Sequence, residues 1–179
     1  MIENVILVDQ YDNEIGIMPK MEAHLEGKLH RAFSVFIFNS RGELLLQQRA
    51  LDKYHSGGKW TNTCCSHPRL GEETIVAAHR RLQEEMGMKC ELHYGFNFIY
   101  QADFLDGIAE HEFDHVFFGL SDEQPIINTS EVAAYQYIKM EDLEQDINQN
   151  PDKYTAWLKI CFSKVLESYL QIFNNERSY

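Results

Sequence analysis

No apolar run in this sequence approaches the roughly 18–20 residues that a membrane-spanning helix needs, so a helical membrane protein is excluded. Proline and glycine are sparse, at 4 and 10 residues, and there is no repeat, low-complexity tract or Pro/Gly-rich linker. Collagen-like and disordered classes are therefore out, and no seam between domains is visible. Basic residues are also few: 16 Lys and Arg stand against 28 Asp and Glu, for a net charge of −12. So acidic a chain is a poor neutraliser of a polyphosphate backbone, which argues against nucleic acid as a partner. A small phosphorylated ligand is still allowed, because charges beyond a Debye length of about 8 Å are screened and a local cluster decides. Cysteine is limited to Cys64, Cys65, Cys90 and Cys161, one adjacent pair and no disulfide-framework spacing. The acidic start Met1-Ile2-Glu3-Asn4 lacks the basic and long apolar regions of a secretory signal. Together these predict a reduced, cytoplasmic protein.

What remains is ordinary globular material, 44% hydrophobic and 25% charged over 179 residues. That length suits a single domain over residues 1–179. Val5–Val8 reads as a strand, Asp12-Asn13 as a turn before Glu14–Ile17, and Met21–His30 as a polar stretch with two histidines. Ala32–Phe38 reads as a buried strand, with Glu43–Gln48 as its hairpin partner across Asn39–Gly42. A glycine-bearing loop is expected over Tyr54–Lys59. Ile75, Ala78, Leu82 and Met86 recur at helical spacing over Thr74–Met86, and Gly87 is the stop signal. Phe96–Tyr100, Glu112–Leu120 and Ala134–Ile138 read as strands and Met140–Asp146 as a short helix. A C-terminal amphipathic helix is expected from about residue 153, with Trp157, Cys161, Val165, Tyr169 and Phe173 on its apolar stripe. The irregular alternation predicts an α/β or α+β layered fold, a mixed sheet flanked by helices.

Two constellations carry chemistry. On the helix over Thr74–Met86, Arg81 and Glu85 are four apart and share a face. Alone, that helix is a solvated surface laced with ion pairs. Its wider spacing is more specific. Glu72, Arg80, Leu82, Glu84, Glu85, Gly87 and Met88 fall on the Nudix signature G-x5-E-x7-R-E-U-x-E-E-x-G-U, with U aliphatic. The segment resembles a degenerate Nudix box, a loop–helix–loop that holds Mg²⁺ against a diphosphate. Ser66 replaces its glycine and Arg81 its first acid, which disfavours hydrolysis; an arginine there suits phosphate oxygens. The second constellation is Cys65-x-His67 and Glu110-x-Glu112, each pair facing one way in extended backbone, with His24 and His30. Three imidazoles and two carboxylates can hold one divalent transition metal.

Jointly, His24-x5-His30, Thr61-Asn62-Thr63-Cys64-Cys65-Ser66-His67-Pro68, Gly107-Ile108-Ala109-Glu110-His111-Glu112 and Tyr154-Thr155-Ala156-Trp157 resemble the signatures of the type 1 isopentenyl diphosphate isomerases. The resemblance runs from about Asn4 to Trp157. It implies a Nudix-like α/β fold and interconversion of isopentenyl and dimethylallyl diphosphate in the cytoplasm; a monomer or weak dimer is the expected form. Residue by residue, it implies an acid–base pair of Cys65 and Glu112, assisted by Tyr100. His24, His30, His67, Glu110 and Glu112 would hold one tightly bound divalent metal (Mn²⁺, Zn²⁺ or Mg²⁺), and Glu85 a Mg²⁺ that arrives with the diphosphate. Lys20, Arg49, Lys53 and Arg81 would grip the diphosphate, and Trp157 would wall the hydrocarbon tail. One departure is Gly57-Gly58, where the family usually carries Pro-Gly; no chemical group is lost.

The chemistry suits these residues. Protonating an unactivated alkene gives a tertiary carbocation, so the site needs an acid, a base across the carbon skeleton, and no water. A thiolate serves as base once nearby positive charge lowers its pKa from about 8.5. The expected direction has Glu112 with Tyr100 adding the proton and Cys65 removing one. Other residues read as bland. Cys64 points away from its neighbour into the core, Arg80 pairs with a box carboxylate, and Asp114 continues the Glu110–Glu112 face without a ligand counterpart. His55, His79, His93, His111 and His115 read as structural or surface. Two rivals remain: a Nudix diphosphohydrolase acting on a nucleoside diphosphate derivative, and a non-catalytic, metal-stabilised binding module.

Overall fold

The computed structural model describes residues 3–53, 55–104 and 107–176; Tyr54, with which the expected glycine loop begins, lies outside them. Strands β1 (Asn4–Val8) and β2 (Glu14–Pro19) form a hairpin that leads into α1 (Lys20–Glu26), β3 (His30–Phe38) and β4 (Glu43–Arg49). Short strands β5 (Trp60–Thr61) and β6 (Cys64–Ser66) precede α2 (Thr74–Met86), β7 (Leu92–Asp103), β8 (Ala109–Leu120) and β9 (Val132–Lys139). Helix α3 (Met140–Gln149), a 3₁₀ turn over Pro151–Lys153 and α4 (Ala156–Glu176) complete the order. The strands form one mixed sheet with a helix layer on each side, the α+β layered arrangement expected from the sequence.

Strand β3 is central because it is apolar on both faces. Phe33, Val35 and Ile37 meet Leu82 and Met86 of α2, whereas Phe36 and Phe38 meet Met140 and Leu143 of α3 and Leu158 and Val165 of α4. Burying each such side chain is worth roughly 1.5–3 kcal/mol. Here the expected hairpin needs correction. Strand β4 pairs with β3 only at Phe38↔Leu44 and runs instead along β9, while β3 runs parallel to β8 from His30↔Glu112 to Phe38↔Leu120. The turn at Asn39–Gly42 exists, closed by Asn39 N–H donating to the Glu43 carbonyl at 3.0 Å. A two-sided apolar strand is better served by the long apolar β8 than by the partner beyond its turn.

Several bounds shift. Met21–His30, read only as a polar stretch, lies largely in α1, β7 and β8 are longer than expected, and the C-terminal helix starts at Ala156 instead of about 153. Tyr154 is held extended by a bridge to Trp60, and Thr155 N–H donates to the Trp60 carbonyl at 3.0 Å. Gly87 ends α2 in the left-handed region at φ +64°, where a Cβ would lie 2.5 Å from the Ile126 carbonyl oxygen. Only glycine meets both demands.

Candidate active site

Register decides the heart of the site. Glu112 of β8 stands opposite His30 of β3 on one side and opposite Tyr100 of β7 on the other, and directly opposed residues share a sheet face. Glu110 and Asp114 follow on that face at a spacing of two. Across the fold, β6 presents Cys65 to a cavity of about 280 Å³, while Cys64 is buried among Leu82 and Met86. The alternation read from the sequence holds.

Eleven of the thirteen expected residues line this cavity: Cys65, Glu112, Tyr100, Lys20, Arg49, Lys53, Arg81, Trp157, His67, Glu110 and Glu85. The other two, His24 and His30, are fully buried beside Glu112. Ligand atoms of His24, His30, His67 and Glu112 all lie within 4.8 Å of one another. Glu110 stands next to this group; its carboxylate meets Tyr100 and His55.

Glu112 divides its two oxygens. Oε1 faces imidazoles, 2.9 Å from His67 Nε2 and 3.4 Å from His30 Nε2. Oε2 accepts the Tyr100 hydroxyl at 2.6 Å. Burial alone would raise the Glu112 carboxyl, but its contacts with His30 and His67 hold it well below the usual range, so it is ionised. Burial pushes Tyr100 well above its ordinary value, with the Glu110 and Glu112 charges adding to it, so the phenol keeps its proton. Asp114 is likewise pushed up by burial and by Glu112, and it accepts the Ser34 hydroxyl at 2.7 Å.

The imidazole cluster fits a divalent metal. Burial lowers His24 to about 3 and His67 to about 4, so both rings are neutral and offer lone pairs at neutral pH. His30 Nδ1 lies 2.8 Å from the Lys28 carbonyl and must donate to it. In the neutral ring, Nε2 then turns a lone pair towards the Glu112 carboxylate, two acceptors that require a cation between them. A proton can serve, since burial of His30 is outweighed by Glu112 and its affinity for a proton is raised. A metal serves all four donors at once.

Positive charge is what a lowered thiol requires, and side chains supply only part of it. Burial pushes the Cys65 thiol up, and the Arg49 charge beside it offsets this only in part.

The cations converge, as expected, but they arrive partnered with carboxylates. Arg81 meets Glu84 at 2.8 Å and Glu85 at 2.5 Å, Lys53 meets Glu131, and Lys20 meets Glu3 at 3.2 Å. Buried Nε atoms of Arg49 and Arg81 lack a hydrogen-bond partner among the described residues, donors that an anion would satisfy. Arg80 binds Glu72 through two bonds of 2.7 and 2.8 Å, the structural role expected of it. Trp157 is fixed by donating Nε1–H to Asn62 at 3.2 Å, and Arg49 lies 5.3 Å over its ring. Asn62 also donates to the carbonyls of Val35 and Cys64, so one buried amide ties the aromatic wall to the thiol strand.

Two cavity residues escaped the sequence reading. His55, expected to be structural or surface, is buried in the cavity wall with Nε2 3.0 Å from Glu110. Its spacing matched no partner because that partner lies across the fold. Glu131 carried no motif at all, and its ion pair with Lys53 is a tertiary contact.

The NUDIX domain model matches residues 28–158. The isopentenyl-diphosphate Delta-isomerase of Pectobacterium atrosepticum is 50% identical over 177 residues, 99% of this chain and 98% of that protein. Isopentenyl-diphosphate Delta-isomerase 1 of Aromatoleum aromaticum is 51% identical over 166 residues, 93% of this chain and 94% of its own. Among solved structures, DR0079 from Deinococcus radiodurans shares the fold with a TM-score of 0.70 at 21% identity, over 83% of this chain and 90% of that one.

Proposed function

This chain belongs to the isopentenyl-diphosphate Delta-isomerases of the Nudix domain family, and from that premise we propose how its cavity moves a proton. The reaction converts isopentenyl diphosphate to dimethylallyl diphosphate. Cys65 and Glu112 are the acid–base pair, and Tyr100 supports Glu112. The observation that carries this reading is the division of the Glu112 carboxylate, one oxygen towards the imidazoles and the other on the Tyr100 hydroxyl. Glu112 is thereby held in place on one side while the other exchanges a proton. In the forward direction the one proton of the Tyr100–Glu112 pair, carried by the Tyr100 hydroxyl towards Glu112, goes to the terminal methylene. Cys65 as its thiolate takes one from the methylene on the diphosphate side of the double bond, so that one proton enters the substrate and one leaves it.

His24, His30, His67, Glu112 and the adjacent Glu110 would hold a divalent metal, which would supply positive charge beside Glu112 and Cys65. Mn²⁺, Zn²⁺ and Mg²⁺ all suit this donor set. Arg49, Arg81, Lys53 and Lys20 bind the diphosphate, with Glu85 holding the Mg²⁺ that accompanies it. Trp157 and Tyr100 turn π faces to the developing cation, worth about 0.5–2 kcal/mol each. Such an enzyme is one domain, works in the cytoplasm as a monomer or weak dimer, and needs neither nucleic acid nor membrane. The net charge of −12 and four free cysteines support that setting, and no helix of the described residues is long and apolar enough to cross a membrane.

The test is incubation with isopentenyl diphosphate and Mg²⁺ in D₂O. Deuterium should enter the allylic product without release of phosphate. Phosphate release without allylic product would instead indicate a diphosphohydrolase, and bound but unchanged substrate a binding module.

A further inference from the structure

His55 enters the cavity from the segment between β4 and β5 and is almost fully buried. Its Nε2 lies 3.0 Å from Glu110 Oε1. A carboxylate only accepts, so the imidazole donates. The ring stacks on Phe104 with centroids 5.0 Å and planes 21° apart, and stands edge-on to Trp157 at 6.1 Å. Its backbone carbonyl accepts from Arg49 Nη2 at 3.3 Å. Two residues on, Gly57 packs so closely that a Cβ would lie 2.6 Å from the Leu51 carbonyl oxygen. Ring and backbone are thus both fixed, which is more restraint than a space-filling side chain requires.

The consequence falls on Tyr100. Its hydroxyl has one proton and two carboxylates within reach, Glu112 Oε2 at 2.6 Å and Glu110 Oε2 at 2.9 Å. Two unsatisfied buried carboxylates would compete for it. Glu110 already holds an N–H from His55, so its need is smaller. We propose that His55 is a positioning residue for the isomerisation: its Nε2–H, aimed at Glu110 by the Phe104 and Trp157 rings, leaves the Tyr100 hydroxyl proton to Glu112. This rests on the acid–base reading given above and extends it to a residue that acts through Glu110.

Two substitutions separate donation from packing. His55→Phe keeps a flat ring against Phe104 and Trp157 but removes the donor. His55→Gln keeps an N–H at similar reach and removes the ring. With divalent metal saturating, His55→Phe should lower kcat about 10–100-fold with KM within about threefold, because supporting hydrogen bonds act on the chemical step more than on binding. His55→Gln should recover most of that loss. Wild-type kcat in His55→Phe would overturn the proposal, as would an equal fall in both variants or a change confined to KM. Should His55→Phe fail to fold, His55→Gln decides alone: a kcat within about tenfold of wild type supports the role, and a larger loss overturns it. Cys65→Ser belongs in the same series. If it stays active, the acid–base reading itself fails; if it is inactive beside a fully active His55→Phe, only the role of His55 fails.

Discussion

Arg81 Nη2 lies 2.5 Å from Glu85 Oε1, one turn away on the same helix. The guanidinium occupies the position at which the Nudix box carries an acid, and its partner is the carboxylate proposed to hold Mg²⁺. Burial of Arg81 is outweighed by the Glu85 charge, so the arginine stays firmly protonated. With its charge already balanced, Glu85 is a weak metal site by itself. A diphosphate would restore the negative charge that makes the cation worth binding, in keeping with the proposal that Mg²⁺ arrives with substrate.

Arg81→Lys should therefore be costly although the charge is kept, because a lysine cannot serve Glu84, Glu85 and a phosphate with a planar fork. We expect KM for isopentenyl diphosphate to rise by roughly tenfold, the worth of one charge-assisted contact. Arg41→Ala, on the exposed turn after β3 with a side chain 69% accessible, should leave KM unchanged. Equal small changes in both would mean that the diphosphate is held elsewhere.

The two metals should separate by variant. His67→Ala removes one of four clustered donors and should purify without its metal, whereas Glu85→Gln should keep that metal through gel filtration and lose only the Mg²⁺ dependence of turnover. Elemental analysis of both proteins gives the answer. Equal metal loss would argue for one shared site.

Cys65→Ser keeps the shape of the side chain but replaces the thiol with a far weaker acid. Turnover should fall by about 10²–10⁴-fold, the range for losing a positioned proton carrier, with the melting temperature unchanged. Cys64→Ser, pointing into the apolar cluster with Leu82 and Met86, should spare turnover and cost stability instead. Wild-type rates in Cys65→Ser would remove the thiol from the mechanism.

The histidine cluster makes stability depend on pH. Burial holds His24 at about 3 and His67 at about 4 in the folded protein, against about 6.5 in an unfolded chain. As pH falls below that value the unfolded chain takes up these protons first, so stability present near neutrality drains away until the folded values are reached. Each group contributes up to about 1.4 kcal/mol per pH unit in that window. His30, raised because Glu112 outweighs its burial, works the other way, and its contribution is lost as pH rises. Two groups outweigh one, so chelator-treated protein should melt at progressively lower temperature between about pH 6.5 and 4. A melting temperature that climbs on acidification would contradict neutral, buried imidazoles.

The readable parts of this protein are those written in short-range pattern. The helical period over Thr74–Met86 gave α2 at its observed ends, with Gly87 after it, because both signals lie within a few residues. The opposite facing of Cys64 and Cys65 was legible for the same reason, since neighbours in extended backbone must diverge. The partner of β4 was not. Turn residues announced a hairpin at Asn39–Gly42, yet strand choice depended on which long apolar strand could cover β3 along its whole length.

By itself, then, the order of residues determined which side chains share a local face: Glu110, Glu112 and Asp114 on one strand, Arg81 and Glu85 on one helix. Their chemistry as a metal, phosphate and proton-transfer set followed from the residue types. Only the tertiary structure decided that His30 and Tyr100 flank Glu112, that Glu131 meets Lys53, and that His55 reaches Glu110. Those pairings join residues 12 to 82 positions apart. Spacing along the chain carries no signal at such separations, and strand register and the packing of apolar faces set the distance. The same packing pushes the Cys65 thiol up, because the cost of burying its charge belongs to the cavity wall and is not written in the residues beside it.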